Sequence, residues 1–356
     1  MKIISIRSYL KNVPLKKPYT IAYNTYYDVS LAFLEVELAN GIIGYGSGSP
    51  AEDVVGETTQ QTSINLQTDF VQSFVGRDIR QFNELIYETT LQFPIFPGTI
   101  AAIDIALHDA FGKYIQLPIA QFYGQKIKSL PTSITIGICD VQETLAQAIE
   151  YKKLGFRILK VKTGINPAVD LERIIKLYEM FGDYFIIRVD ANQGYTYDEL
   201  TWFMKSLHPH SVELIEQPLK VGLEKELLKI NQADRRKLAA DESLKNTRSA
   251  ITLASEDSAF GIFNIKLMKC GGLVGAREIA TIAQASSIDL FWGCNDESII
   301  SITAALHVAY SCPNTKYIDL DGSFDLAEDI VTGGFELVDG YMHINNNPGF
   351  GIDIIK

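Results

Sequence analysis

The chain has 356 residues, 47% hydrophobic and 21% charged, with a formal net charge of −11. That composition is globular, long enough for a well-buried core and two domains, and its acidic balance argues against nucleic acid as a partner, since phosphate binding needs a basic face. No apolar run is long enough to span a bilayer, the N-terminus lacks the apolar core of a signal peptide, and the four cysteines form no close-spaced pair; these features predict a cytoplasmic protein with free thiols and no membrane partner.

Residues 1 to about 50 read as antiparallel strands. Ser30 to Leu38 is apolar and then alternating, Ala39-Asn40-Gly41 signals a turn, and Ile42 to Gly46 returns. A helical stretch follows from about 57 to 125, in which Thr99 to Phe111 carries apolar residues at helical spacing. From Ser133 short β-branched runs alternate with amphipathic helices. Strands are predicted to end near Thr135, Lys162, Asp190, Glu216, Asp241, Lys266, Cys294 and Asp319, at steps of about 25 to 28 residues. Eight successive β/α units predict an α/β fold with a closed (β/α)8 barrel. An open doubly wound sheet also alternates strands and helices. It is disfavoured because no Gly-rich phosphate fingerprint follows any strand and the polar residues sit at strand C-terminal ends, where barrels keep their sites.

Strand side chains alternate, so Lys160 and Lys162 share one face, as do Arg188, Asp190 and Asn192. Asp190, Glu216 and Asp241 come from the third, fourth and fifth strands. Strands about 4.8 Å apart bring three such carboxylates to one point. An all-oxygen set without histidine or cysteine suits Mg²⁺, with Mn²⁺ possible and Zn²⁺ disfavoured; acids paired with the nearby lysines, without a metal, are the alternative. Lys162 belongs to strand two and Lys266 to strand six, half a turn around the barrel. Two amines on opposite sides of a substrate carbon form a two-base arrangement for inverting a stereocentre. Like-charge repulsion from Lys160 and partial burial are expected to lower the lysine pKa values, because a base must be neutral. Lys269, off the alternating face, is predicted to be a solvated loop residue. Asp319 and Asp321 taken alone read as solvated acids at a strand end.

The Lys160-Val161-Lys162 run, the three acids and the lysine across the barrel resemble the enolase superfamily, and within it the muconate-lactonizing subgroup. That resemblance implies an α+β capping domain over 1–125, the barrel over 126–321 and a C-terminal segment, 322–356, returning to the cap. It implies that Asp190, Glu216 and Asp241 bind the metal, that Lys162 and Lys266 are the catalytic acid/base pair, and that Lys160 neutralises a substrate carboxylate. Asp319-Leu320-Asp321, with Asn264 to Gly272, is similar to the dipeptide epimerases of this superfamily, which carry an Asp-x-Asp here to hold the amine of a dipeptide. The implied reaction is Mg²⁺-dependent epimerisation of the C-terminal residue of an L,L-dipeptide. N-acylamino acid racemisation, o-succinylbenzoate synthesis and muconate cycloisomerisation are the alternatives within the subgroup. Cys294-Asn295-Asp296-Glu297 stands where relatives touch substrate, making Asn295 and Asp296 substrate-binding candidates, with Thr135 at the first strand end. Alanyl-glutamate epimerases carry an arginine in the first capping loop where this chain has Asn24. That departure disfavours Ala-Glu; Tyr23, Tyr26 and Tyr27 offer aromatic surface and Glu52 and Asp53 negative charge, so neutral, hydrophobic or cationic dipeptides are expected, and a homo-oligomer is compatible with such a barrel.

Overall fold

Residues 1–20, 25–255 and 257–355 are described by the computed structural model, with the side chains of 18–20, 25 and 26 excepted. Asn24 and Tyr23 therefore lie outside the described residues.

Ile3–Thr20 and Thr25–Leu38 pair antiparallel, and Ile43–Gly48 adds a third strand to the second. The second strand reads apolar in both phases because both of its faces are covered. Ala32, Leu34, Val36 and Leu38 enter the core of the cap. Leu31 and Phe33 point the other way, into the large core shared with the barrel. Asn40 and Gly41 make the turn, with Gly41 at φ +83°, a conformation glycine adopts without steric cost.

The helix Pro97–Tyr114 packs on this sheet. Proline near its first turn preorganises it, and the Glu57 carboxylate accepts from the backbone N–H groups of Gly98 (2.6 Å) and Thr99 (2.9 Å), an anion at the positive end of the helix. Its buried residues occupy every face, because the cap sheet covers one side and the barrel the other. Close approach requires glycine: a Cβ at Gly46 would stand 2.0 Å from the Ala102 carbonyl oxygen.

Eight parallel strands follow: Ser133–Ile136, Ile158–Lys162, Ile186–Asp190, Ile215–Glu216, Leu238–Ala240, Ile262–Ile265, Asp289–Trp292 and Thr315–Ile318. They pair in sequence order, and a parallel bridge between Thr132 and Ile318 brings the last strand to the first. The barrel expected from the spacing is thus nearly closed, with each predicted strand end within two residues of the observed one. Near-continuous apolar runs such as Ile262-Phe263 and Leu290-Phe291-Trp292 fit strands covered on both faces.

The C-terminal segment touches both parts. Ala327 N–H donates to the Pro14 carbonyl, Ile119 N–H to Gly349, and Phe350 N–H to the Asp109 carboxylate. Its hairpin, Phe335–Val338 with Tyr341–Ile344, also pairs with Ser129–Pro131 just before the first barrel strand. A second tie comes from Asp104 on the central helix, which accepts from Leu273 N–H and Val274 N–H and so caps the helix Leu273–Ala285 of the barrel. Among the described residues no helix is long and apolar enough to cross a membrane.

Candidate active site

Parallel register sets the site. Lys162 pairs with Asp190, Asp190 with Glu216, and Glu216 with Ala239, so side chains of like phase share one level at the C-terminal ends of the strands. Gln217, just beyond the fourth strand, fixes the next acid. Its side-chain oxygen accepts from the N–H groups of Asp241 (3.0 Å) and Ser243 (3.1 Å).

Asp190, Glu216 and Asp241 are all buried, at 0%, 0% and 2% exposure. Each has an ammonium beside it. Lys162 Nζ stands 2.7 Å from Asp190 Oδ2, and Lys266 Nζ 3.0 Å from Asp241 Oδ2. Lys160 lies beneath, 2.9 Å from Glu216 Oε2, 3.1 Å from Asp190 Oδ2 and 2.8 Å from Asp319 Oδ2. Burial works against the charge of Asp190, but Lys162 and Lys160 overrule it and hold the carboxyl down at about 2. Asp241 is likewise held well below the usual range, its burial outweighed by Lys266 and Lys269. Glu216 goes the other way. Burial and the neighbouring Asp190 push it up to about 8.

The sequence predicts lysines with lowered pKa. Burial does oppose the charge of Lys160 and Lys266, yet the surrounding acids outweigh it and hold both ammoniums above their ordinary value. A second departure is Lys269, 5% exposed and not a solvated loop residue. Its ammonium donates to both the carboxylate and the carbonyl of Asp241 and to the Asn264 carbonyl. The strand ends at Ile265 and the backbone turns helical over Leu267–Cys270. Residues 266 and 269 then stand one turn apart on the same side, where strand alternation no longer applies.

The strand-eight acids have different surroundings. Asp319 accepts from Lys160 Nζ (2.8 Å) and Ser133 Oγ (2.6 Å) and is held low by Lys160 against the effect of burial. Asp321 accepts from the Thr135 N–H (2.8 Å) and is pushed well up by burial and by Asp319. Thr135 is thereby brought to Asp321 through its backbone. Asn295 donates to the Ser49 carbonyl (2.9 Å), and the Asp296 carbonyl accepts from Ser49 Oγ (2.9 Å), so the seventh loop is tied to the cap. Beneath the acids, Arg188 donates to Glu213, Ser133 and the Ile318 carbonyl.

Whether the acids suit a metal follows from their donors. Among the described residues no group of acid, histidine or cysteine side chains is disposed to hold a metal ion in this arrangement, and lysines pair with the acids. The donor set is nevertheless all oxygen and buried. Glu216 Oε2 makes no hydrogen bond, although Lys160 Nζ stands 2.9 Å away at an unsuitable angle. Three adjacent carboxylates, one with an unused oxygen, fit a hard divalent cation.

Known proteins resemble the chain along its whole length. The family described as "Mandelate racemase / muconate lactonizing enzyme, N-terminal domain" matches residues 3–124, and "Enolase C-terminal domain-like" matches 143–356. An L-Lys-D/L-Arg epimerase of Desulforapulum autotrophicum is 49% identical over 352 residues, 99% of each chain. One of the same description from Methylococcus capsulatus is 45% identical, again over 99% of each. A crystal structure of the Methylococcus capsulatus dipeptide epimerase, complexed with Mg and the dipeptide L-Arg-D-Lys, superposes with a TM-score of 0.97 at 45% identity, covering 99% of both chains.

Proposed function

The chain belongs to the mandelate racemase / muconate lactonizing enzyme family, and from that premise we propose that it is a Mg²⁺-dependent epimerase of dipeptides carrying cationic side chains. The observation that carries the reading is the pair of lysines on opposite walls, Lys162 on Asp190 and Lys266 on Asp241, flanking three buried carboxylates. Asp190, Glu216 and Asp241 would hold the metal, which when bound supplies Lewis-acid stabilisation of negative charge developing on the substrate carboxylate, worth about several kcal/mol. Lys160 adds a fixed positive charge from below. One of Lys162 and Lys266 takes the α-proton of the C-terminal residue, giving an ene-diolate dianion, and the other returns a proton to the opposite face. Inversion needs no other atom to enter or leave.

The substrate ammonium is assigned to strand eight, and the two acids there divide the work. Asp319 already serves Lys160 and Ser133, so Asp321 is the acid left to face the amine. Thr135, Asn295 and Asp296 remain the proposed contacts around it. Cationic side chains are supported by the names of the two relatives at 49% and 45% identity and by the acids beyond strand eight. There Asp325 is pushed up to about 7 by burial and by Asp296, with Lys16 and Lys17 pulling the other way; a substrate cation would add to that relief. The same proposal places the protein in the cytoplasm and divides it at about residues 125 and 321.

The test is a panel of Lys-, Arg-, Leu- and Ala-Glu-containing dipeptides incubated with Mg²⁺ in D₂O and followed by mass spectrometry. Deuterium should enter the C-terminal residue of Lys- and Arg-containing dipeptides first. Uptake by no dipeptide would overturn the reading, and first uptake by Ala-Glu would overturn the cationic preference.

A further inference from the structure

The two lysines are not held alike, and the difference lies in residues that no part of the two-base scheme uses. Asn192 follows the third barrel strand at φ +40°, in the left-handed region. Asparagine tolerates that conformation better than most residues, but it remains a costly one, kept where the surroundings dictate it. Its N–H donates to Asp190 Oδ1 at 3.0 Å. Its side-chain oxygen accepts from Lys162 Nζ at 3.0 Å, and its side-chain nitrogen donates to Glu242 Oε1 at 3.3 Å. Glu242 is 4% exposed, and its second oxygen has no hydrogen-bond partner.

An amide has one accepting end and one donating end. A carboxylate on the nitrogen end leaves the oxygen end nowhere to turn but toward the ammonium. Rotating the amide by half a turn would set NH₂ against NH₃⁺ and oxygen against carboxylate. Lys266 has a different arrangement: its ion pair is with Asp241, which Lys269 shares, and Glu242 acts on it through charge without a hydrogen bond.

We propose that Asn192 and Glu242 are positioning residues for one face of the reaction: Glu242 orients the Asn192 amide, whose oxygen aims the Lys162 amine at the substrate carbon. The inference rests on the epimerase reading above. It predicts that exchange on the Lys162 face depends on this pair far more than exchange on the Lys266 face, which Glu242 reaches through its charge alone and Asn192 through no hydrogen bond.

Each face can be read separately. The diastereomer whose α-hydrogen still exchanges in Lys266→Ala reports Lys162, and the one that still exchanges in Lys162→Ala reports Lys266. Asn192→Gly keeps the backbone angle and removes the amide. It should slow exchange on the Lys162 face by about tenfold or more, with less than about a threefold change on the other face. Glu242→Leu should act in the same direction. Glu242→Gln, which keeps an oxygen for the Asn192 nitrogen, should hold the Lys162-face rate within about threefold of the unaltered enzyme. Should Asn192→Gly not fold, Asn192→Asp retains the acceptor and loses the donor, and the two Glu242 variants still decide. Equal slowing of both faces, or a Lys162-face rate untouched in Glu242→Leu, would overturn the inference while leaving the epimerase reading intact. Absence of exchange with every dipeptide in the unaltered enzyme would overturn both.

Discussion

Opposite walls of one barrel mouth carry the same side chain in unlike surroundings. On the wall of strands two and three, Lys162 projects from a strand end onto Asp190 and Asn192. On the wall of strands five and six, Lys266 stands where the backbone passes from strand to helical turn, beside an acid it shares with Lys269. Each lysine is 13–14% exposed, so access does not distinguish them; neighbours do. Under the proposed two-base reaction, one amine takes a proton while the other gives one, and the two are set by different means.

Removing each amine in turn tells the two walls apart most directly. Lys162→Ala and Lys266→Ala should each lower epimerisation by about 10²–10⁴-fold, while α-hydrogen exchange survives in D₂O for one diastereomer, a different one in each variant. Proton NMR of the α-position measures both quantities, and full epimerase activity in either variant would end the two-base account.

A second contrast lies within strand eight. Asp319→Asn takes from Lys160 a partner inside the barrel, and breaking a buried pair costs about 3–5 kcal/mol, so the loss should appear in chemical denaturation. Asp321→Asn should spare stability and lower kcat/KM for dipeptides by about 10²-fold, the equivalent of about 3 kcal/mol. Unchanged kinetics in Asp321→Asn would place the ammonium elsewhere.

The third test uses pH. Burial raises Glu216 from an ordinary 4.5 to about 8, so the metal-free fold keeps a proton that the unfolded chain releases. The stability this provides is full below about pH 4 and is lost as pH rises through 8. Under the proposed ligand set, Mg²⁺ has to displace the same proton. Its apparent affinity should therefore climb from pH 6 and level off above 8. Calorimetry in two buffers of different ionisation enthalpy would show proton release at pH 7 that vanishes near pH 9. An affinity flat over this range would mean that Glu216 is already ionised. The smallest effect concerns the rim: Asp325→Asn should reduce kcat/KM for a Lys-containing dipeptide by about fivefold and leave a Leu-containing one unaltered, as competition assays would reveal.

Much of this was legible in the chain. The even spacing gave the barrel, because one strand, one helix and two loops fill each step. The alternation of Lys160 and Lys162 gave their common face, because both lie inside a strand. Lys269 escaped for the opposite reason, since strand logic was carried past Ile265 into a helical turn. The division between Asp319 and Asp321 escaped too. Which acid meets Lys160 depends on the stagger of the last strand against the first, fixed by the Thr132–Ile318 bridge, and no local pattern encodes that. No sequence pattern singles out Glu242 beside Asp241, although an acid 4% exposed with an unused oxygen is costly to bury.

The helix Pro97–Tyr114 has no wet side, and neither of its neighbours can be separated without stripping it. Cap and barrel should therefore melt in a single calorimetric transition, and a shortened chain lacking the cap would expose an adhesive wall. The helix thus fixes the frame on which the rim segments of both parts are carried.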